Sequence, residues 1–215
     1  MTTRVKICGI NSADALDAAV DAGADYVGFV FFPPSPRAVT PAQAAALSER
    51  RPGSPARVGL FVDPTEDDIA AALAAMKLDV LQVYGAPGRA AAFRTRFGIA
   101  TWTAVGIAGV SDLPTAAAGV DGLLIEAKAP PDAVLPGGNA QVFDWSILHG
   151  WTAPVPWMLA GGLTPDNVAD AVRISGASAV DVSSGVERSR GVKDTALVQA
   201  FVRNARAHSK SIPAA

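Results

Sequence analysis

The sequence contains one cysteine, Cys8, and two histidines, His149 and His208, among 215 residues. A lone cysteine excludes an internal disulfide and a cysteine-cluster zinc site, and two histidines are too few for a His-rich metal site. No metal and no cofactor are expected. Charge is sparse as well, with 18 basic against 20 acidic side chains and a net charge of -2; the pI is near 5.6. The chain lacks the basic surface that nucleic acid or an anionic membrane would require, so any anion it binds must be held by local groups. No apolar run reaches the roughly 18 residues of a membrane span; the longest extends only from Tyr26 to Phe32. Arg4 and Lys6 interrupt the N-terminus, which reads as a strand and not as a signal peptide. A soluble cytoplasmic protein is expected.

Apolar residues, alanine above all, make up 50% of the chain, enough to build a core and to exclude native disorder. Short β-branched or apolar runs predict eight strands, at Val5–Cys8, Tyr26–Phe31, Arg57–Val62, Val80–Tyr84, Ala100–Val105, Gly122–Ile125, Trp157–Ala160 and Ala179–Val182. Between most of them lie alanine-rich stretches of helical period, at Ala13–Ala22, Pro41–Arg50, Glu66–Met76, Ala90–Phe97, Asn167–Ile174 and Thr195–Ala207. Ser12, Thr40 before Pro41, Thr65 with Asp68, and Thr164 before Pro165 are the predicted helix caps. Helix-stop and strand-start patterns recur at Gly23–Val27, Lys77–Leu81, Gly119–Leu123 and Gly176–Val180. Eight units of about 27 residues each fit a strand, a helix and two short loops. The reading is an α/β protein, a single compact (β/α)8 TIM barrel over residues 1–215, with 209–215 as a frayed tail. An open doubly wound sheet is the alternative, weakened because no Gly-rich dinucleotide fingerprint follows the first strand.

In such a barrel chemistry gathers where strands run into the following loops. Cys8 ends the first strand. Lys6, two residues earlier, points to the same side, where its ammonium would depress the thiol pKa; a lysine neutralised in a core ion pair is the plainer possibility. Asp181 lies two residues before Ser183 on the eighth strand, a neighbour of the first in a closed barrel. Lys6 and Asp181 are therefore expected to pair beneath the site. Glu126 closes the sixth strand in an apolar context that fits either an ion pair or an acid of raised pKa. Arg37, in the stiff loop Phe32-Pro33-Pro34-Ser35-Pro36-Arg37, offers a bidentate clamp for a carboxylate, or else caps a surface loop. Gly161 and Gly162 after the seventh strand and Ser183, Ser184 and Gly185 after the eighth suit a phosphate cradle, over which Gly137 and Gly138 could close. His149 and His208 read as surface residues without a role, and Trp145, Trp151 and Trp157 as packing.

Taken in order, Val5-Lys6-Ile7-Cys8-Gly9-Ile10, Gly28-Phe29-Val30-Phe31 with Ser35-Pro36-Arg37, Val58-Gly59-Leu60-Phe61-Val62, Leu81-Gln82, Pro136-Gly137-Gly138, Phe143-Asp144-Trp145, Leu159-Ala160-Gly161-Gly162-Leu163 and Asp181-Val182-Ser183-Ser184-Gly185-Val186-Glu187 resemble the phosphoribosylanthranilate isomerase family over essentially the whole chain. The resemblance implies a compact barrel of tryptophan biosynthesis. It would convert N-(5-phosphoribosyl)anthranilate to the 1-deoxyribulose 5-phosphate by an Amadori rearrangement, without metal or cofactor. It implies Cys8 as general base, Arg37 as clamp on the anthranilate carboxylate, and the loops at Gly162 and Ser184 as the phosphate site. Two positions depart from the family pattern: Glu126 stands where an aspartate serves as general acid, and Tyr84 where a histidine is usual. The expected partner is a small phosphosugar, bound by a monomer or homodimer. A non-catalytic phosphosugar-binding barrel and a histidine-pathway isomerase are the alternatives.

Overall fold

The computed structural model describes residues 2–53, 55–86, 88–129 and 142–207. Eight parallel strands close into a barrel in sequence order: β1 (Arg4–Cys8), β2 (Tyr26–Val30), β3 (Ala56–Val62), β4 (Val80–Tyr84), β5 (Ala100–Ile107), β6 (Gly122–Ala127), β7 (Trp157–Leu159) and β8 (Ala179–Val182). Each agrees with its predicted run to within a residue or two, and closure excludes the open sheet. Among the described residues six α-helices cover the outside: α1 (Ala13–Asp21), α2 (Pro41–Arg50), α3 (Glu66–Ala75), α4 (Arg89–Phe97), α5 (Val168–Ser175) and α6 (Thr195–Ala207). After β5 and β6 the described residues hold only short 3-10 turns, Val110–Asp112 and Trp145–Leu148.

The helix starts follow from side chains that satisfy orphan backbone N–H groups. Ser12 accepts from the Ala15 N–H, and Thr40 with Gln43 and Thr65 with Asp68 form reciprocal capping boxes. The predicted Thr164 cap is corrected. The helix begins three residues later, because Asn167 folds back: its Oδ1 accepts from the Thr164 N–H at 2.8 Å and its Nδ2 donates to the Gly162 carbonyl at 2.9 Å. A turn therefore precedes α5, and Asn167 ties that turn to the loop after β7. His208 and the expected tail at 209–215 lie outside the described residues.

The apolar core lies between barrel and helices. Val5, Ile7, Phe29, Phe61 and Val180 from the strands meet Leu16 of α1 and Val198 and Phe201 of α6, all with no solvent exposure. Burying each such side chain contributes roughly 1.5–3 kcal/mol. Trp151 and Trp157 pack with ring centroids 5.4 Å apart, as their reading as packing residues required.

The barrel interior is built differently. Strand register, with a shear of about two residues for every second strand, stacks inward side chains in layers drawn from alternate strands. Cα partners run Val30–Leu60–Gln82, Gln82–Trp102–Gly122, Lys6–Tyr26 and Asp181–Lys6. They put Val30, Tyr84, Glu126 and Ser183 in the uppermost layer, and Cys8, Leu60, Ala104 and Ala160 beneath it. Gly28, Gln82, Leu124 and Asp181 come next, and Lys6, Val58, Trp102 and Met158 lie below them. Polar or ionisable side chains thus occur at all four of these levels.

Candidate active site

Strand ends and their loops enclose a pocket of about 730 Å³, its open mouth included. Cys8, Tyr84, Glu126 and Asp181 face it from the strands, and Arg37 from the loop after β2. Gly161, Gly162, Ser183, Ser184 and Gly185 form its other wall. Every predicted site residue that is described therefore lines this pocket; Gly137 and Gly138 lie outside the described residues.

The two glycine loops act as one wall. A Cβ on Gly185 would lie 1.8 Å from the Leu163 carbonyl oxygen, so only glycine lets the loop after β8 rest on the loop after β7. Close approach of two backbones is thus a reason for this glycine that does not depend on any ligand.

Lys6 and Asp181 meet as expected, Nζ to Oδ1 2.8 Å, with the lysine side chain wholly buried. Burial pulls the ammonium pKa down, but Asp181 and Cys8 outweigh it and the net direction is up. Removing one partner from a buried pair strands the other charge, at a cost of about 3–5 kcal/mol. Asp181→Ala should therefore lose stability on that scale in urea unfolding, whereas Lys6→Met with Asp181→Leu should recover most of it. Equal losses in the single and double variants would show that packing, not the stranded charge, sets the cost.

The expected depression of the Cys8 thiol is corrected. Burial pushes it above its ordinary range, Lys6 and Lys193 pull it back only in part, and Asp181 adds to the rise. The sulfur and the Lys6 ammonium do converge. A Cβ on Gly28 would stand 3.0 Å from Cys8 Sγ and 3.2 Å from Lys6 Nζ, so the glycine makes room for both. Glu126, in the layer above Cys8, is raised to about 8 by burial and by Asp181, against the lowering influence of the Tyr84 hydroxyl and of Lys6. It is protonated at neutral pH, as an acid must be.

Arg37 is buried, which removes the surface reading. Its Nε and Nη2 already hold a carboxylate, donating to Glu187 Oε1 at 2.6 Å and Oε2 at 3.0 Å. Sequence reasoning missed this role of Glu187 and missed Lys193 altogether. Both belong to a hairpin of β9 (Glu187–Ser189) and β10 (Val192–Lys193). Lys193 Nζ donates to Glu187 Oε1 and to the Ser183 carbonyl, each at 2.9 Å, and Ser183 Oγ donates to the Cys8 carbonyl at 3.1 Å. Burial tends to raise the Glu187 pKa, but bonds from Arg37 and Lys193 hold it at about 2. A charged chain therefore runs from Arg37 to the backbone of the Cys8 strand. The sequence signal was a Glu and a Lys flanking the turn at Gly191, too short a pattern to read as paired strands. Among the described residues no group of three His, Cys, Asp or Glu could hold a metal ion, and no helix is long and apolar enough to cross a membrane.

The chain is similar throughout its length to known proteins. It is 54% identical over 209 residues to the N-(5'-phosphoribosyl)anthranilate isomerase of Granulibacter bethesdensis, covering 95% of this chain and 100% of that protein. Among solved structures, a phosphoribosyl anthranilate isomerase in complex with reduced 1-(o-carboxyphenylamino)-1-deoxyribulose 5-phosphate is 32% identical. It superposes with a TM-score of 0.80 over 94% of this chain and 98% of the other. Monomers generated from the dimeric Thermotoga maritima isomerase are 33% identical, with a TM-score of 0.79 over 94% and 98% of the two chains. Residues 5–204 match the family model for N-(5'phosphoribosyl)anthranilate (PRA) isomerase, and the chain belongs to that family.

Proposed function

We propose that this barrel isomerises N-(5'-phosphoribosyl)anthranilate to 1-(2-carboxyphenylamino)-1-deoxyribulose 5-phosphate in tryptophan biosynthesis, with Glu126 as acid and Cys8 as base. The observation that carries the assignment of roles is a buried carboxyl one layer above a thiol, both facing one pocket beside a glycine-rich wall, with burial raising the carboxyl pKa toward the protonated form. Opening the furanosylamine needs a proton on the ring oxygen, which Glu126 supplies as the C1'–O bond breaks and the nitrogen lone pair forms the C1'=N bond. The Cys8 thiolate then takes the C2' proton, giving the enolamine. Return of a proton at C1' and loss of the C2' hydroxyl proton yield the ketone. Cys8 is more often a thiol than a thiolate, yet the scarcer thiolate is the stronger base for that. Lys6 and Lys193 supply the positive charge that favours it.

The wall of Gly161, Gly162, Ser183, Ser184 and Gly185 would hold the phosphate, and Asp181 the sugar hydroxyls from below. The anthranilate carboxylate would meet the Arg37 edge that Glu187 leaves open. Arg37→Ala should raise KM by about 10- to 100-fold, the scale of a lost charge-assisted pair, and Arg37→Lys should rescue it poorly because the fork is lost. Unchanged KM in both variants would reject the clamp.

The whole chain serves as one barrel domain, acting as a monomer or homodimer. The cytoplasm suits it, since a reducing setting keeps Cys8 a thiol. Loss of substrate fluorescence on addition of purified protein tests the function, with chelator present to exclude a metal requirement. Binding without turnover would leave a phosphosugar-binding barrel in its place.

A further inference from the structure

Tyr84 lies in the uppermost layer of the barrel with Glu126, two strands away, and both line the pocket. The strand between them, β5, offers only Ala104 and Gly106 at these levels, so no bulky side chain separates phenol from carboxyl. The glutamate needs an external anchor, because its longer side chain has more rotamers to lose than a short acid has. The other nearby donors are committed, Lys6 to Asp181 and two nitrogens of Arg37 to Glu187.

Gln82 gives a second observation. It is wholly buried one turn of the pleat below Tyr84, and neither its Nε2 nor its Oε1 has a well-aligned hydrogen-bond partner. A phenol that donates its single proton upward keeps an oxygen lone pair to accept from that amide.

We propose that Tyr84 is a positioning residue for the acid: its hydroxyl donates to the Glu126 carboxyl and holds it turned toward the sugar ring, with Gln82 supporting the phenol from below. The inference rests on Glu126 being the acid. The charged or titratable groups facing Glu126 are Tyr84 from β4, Asp181 from β8 and Lys6 from β1; Cys8 and Arg37 complete those at the pocket, and β3, β5 and β7 contribute none to its lining. A bond donated to the carboxylate form lowers the Glu126 pKa, and burial of Tyr84 beside Glu126 keeps the phenol itself protonated.

Tyr84→Phe, which keeps the ring and removes the hydroxyl, tests this in the intact protein. Turnover (kcat) should fall by about 10- to 100-fold, the scale of an acid misplaced by ~1 Å, with KM little changed. The carboxyl carbon of 13C-labelled Glu126, followed by NMR against pH, should titrate at a higher midpoint than in the parent, a readout independent of activity. In a Glu126→Gln background the same change should cost nothing further. An unmoved midpoint, or a rise in KM with kcat intact, would overturn the proposal while leaving Glu126 as the acid. Wild-type turnover in Glu126→Gln would instead remove the acid reading on which the proposal stands.

Discussion

Cys8→Ala should lower kcat/KM by on the order of 10²- to 10⁴-fold, the usual contribution of a positioned base, and leave folding nearly intact. The sulfur is small, and its removal opens a void little larger than a methyl group, for a stability loss of about 1 kcal/mol. The fold around it does not depend on the thiol: Cys8 keeps its backbone pairing with Gly28, and its carbonyl still accepts from Ser183. Urea unfolding and the fluorescence assay on one preparation separate the two effects. If the variant retains more than about a tenth of the parent activity, the base is another group.

Glu126→Gln should be about as damaging, since the amide matches the carboxyl in size and has no proton to give. Glu126→Asp should keep activity or raise it, because the shorter acid restores the reach that the family pattern implies. The protonation states add a pH signature. The productive form carries a proton on Glu126 and none on Cys8. Glu126 titrates at about 8 and Cys8 lies above its ordinary range, so that form is the minor arrangement of a singly protonated pair. Its population grows as the pH rises through the lower value and falls once the second proton leaves. The kcat/KM profile should climb toward pH 8 and peak on its alkaline side. An optimum below about pH 7 would contradict this order of ionisation.

Much of this architecture is legible in the residues. Strand parity alone places Lys6 below Cys8 and Asp181 below Ser183, and closure of the barrel brings the two charges together. The sign of the thiol shift is not legible in the same way. It depends on whether desolvation at Cys8 exceeds the field of an ammonium already half-neutralised by Asp181, a balance of magnitudes that no spacing encodes. Arg37 shows a related limit. The sequence identifies a guanidinium on a stiff loop, but the carboxylate that claims its fork, Glu187, is 150 residues away in sequence. The Glu187 to Lys193 hairpin escapes because its strands are only three and two residues long, below any periodic signal. Thr164 misleads because Asn167, a better side-chain donor and acceptor, captures the turn first.

The ion pair beneath the pocket also bears on how the molecule is made. Its partners are 175 residues apart, at the first and last strands of the barrel. Any chain that stops short of β8 must either bury the Lys6 ammonium without a counter-charge or leave β1 out in water. During synthesis the early strands can collapse against their helices, but the seam between first and last cannot form until the C-terminal segment has emerged. Contacts of such long range are slow to find, and closing a loop of this length must precede the gain from the pair. Maturation of the site is thereby deferred to the end of translation, so a truncated chain would carry Cys8 and Glu126 in sequence without assembling them into a working pocket.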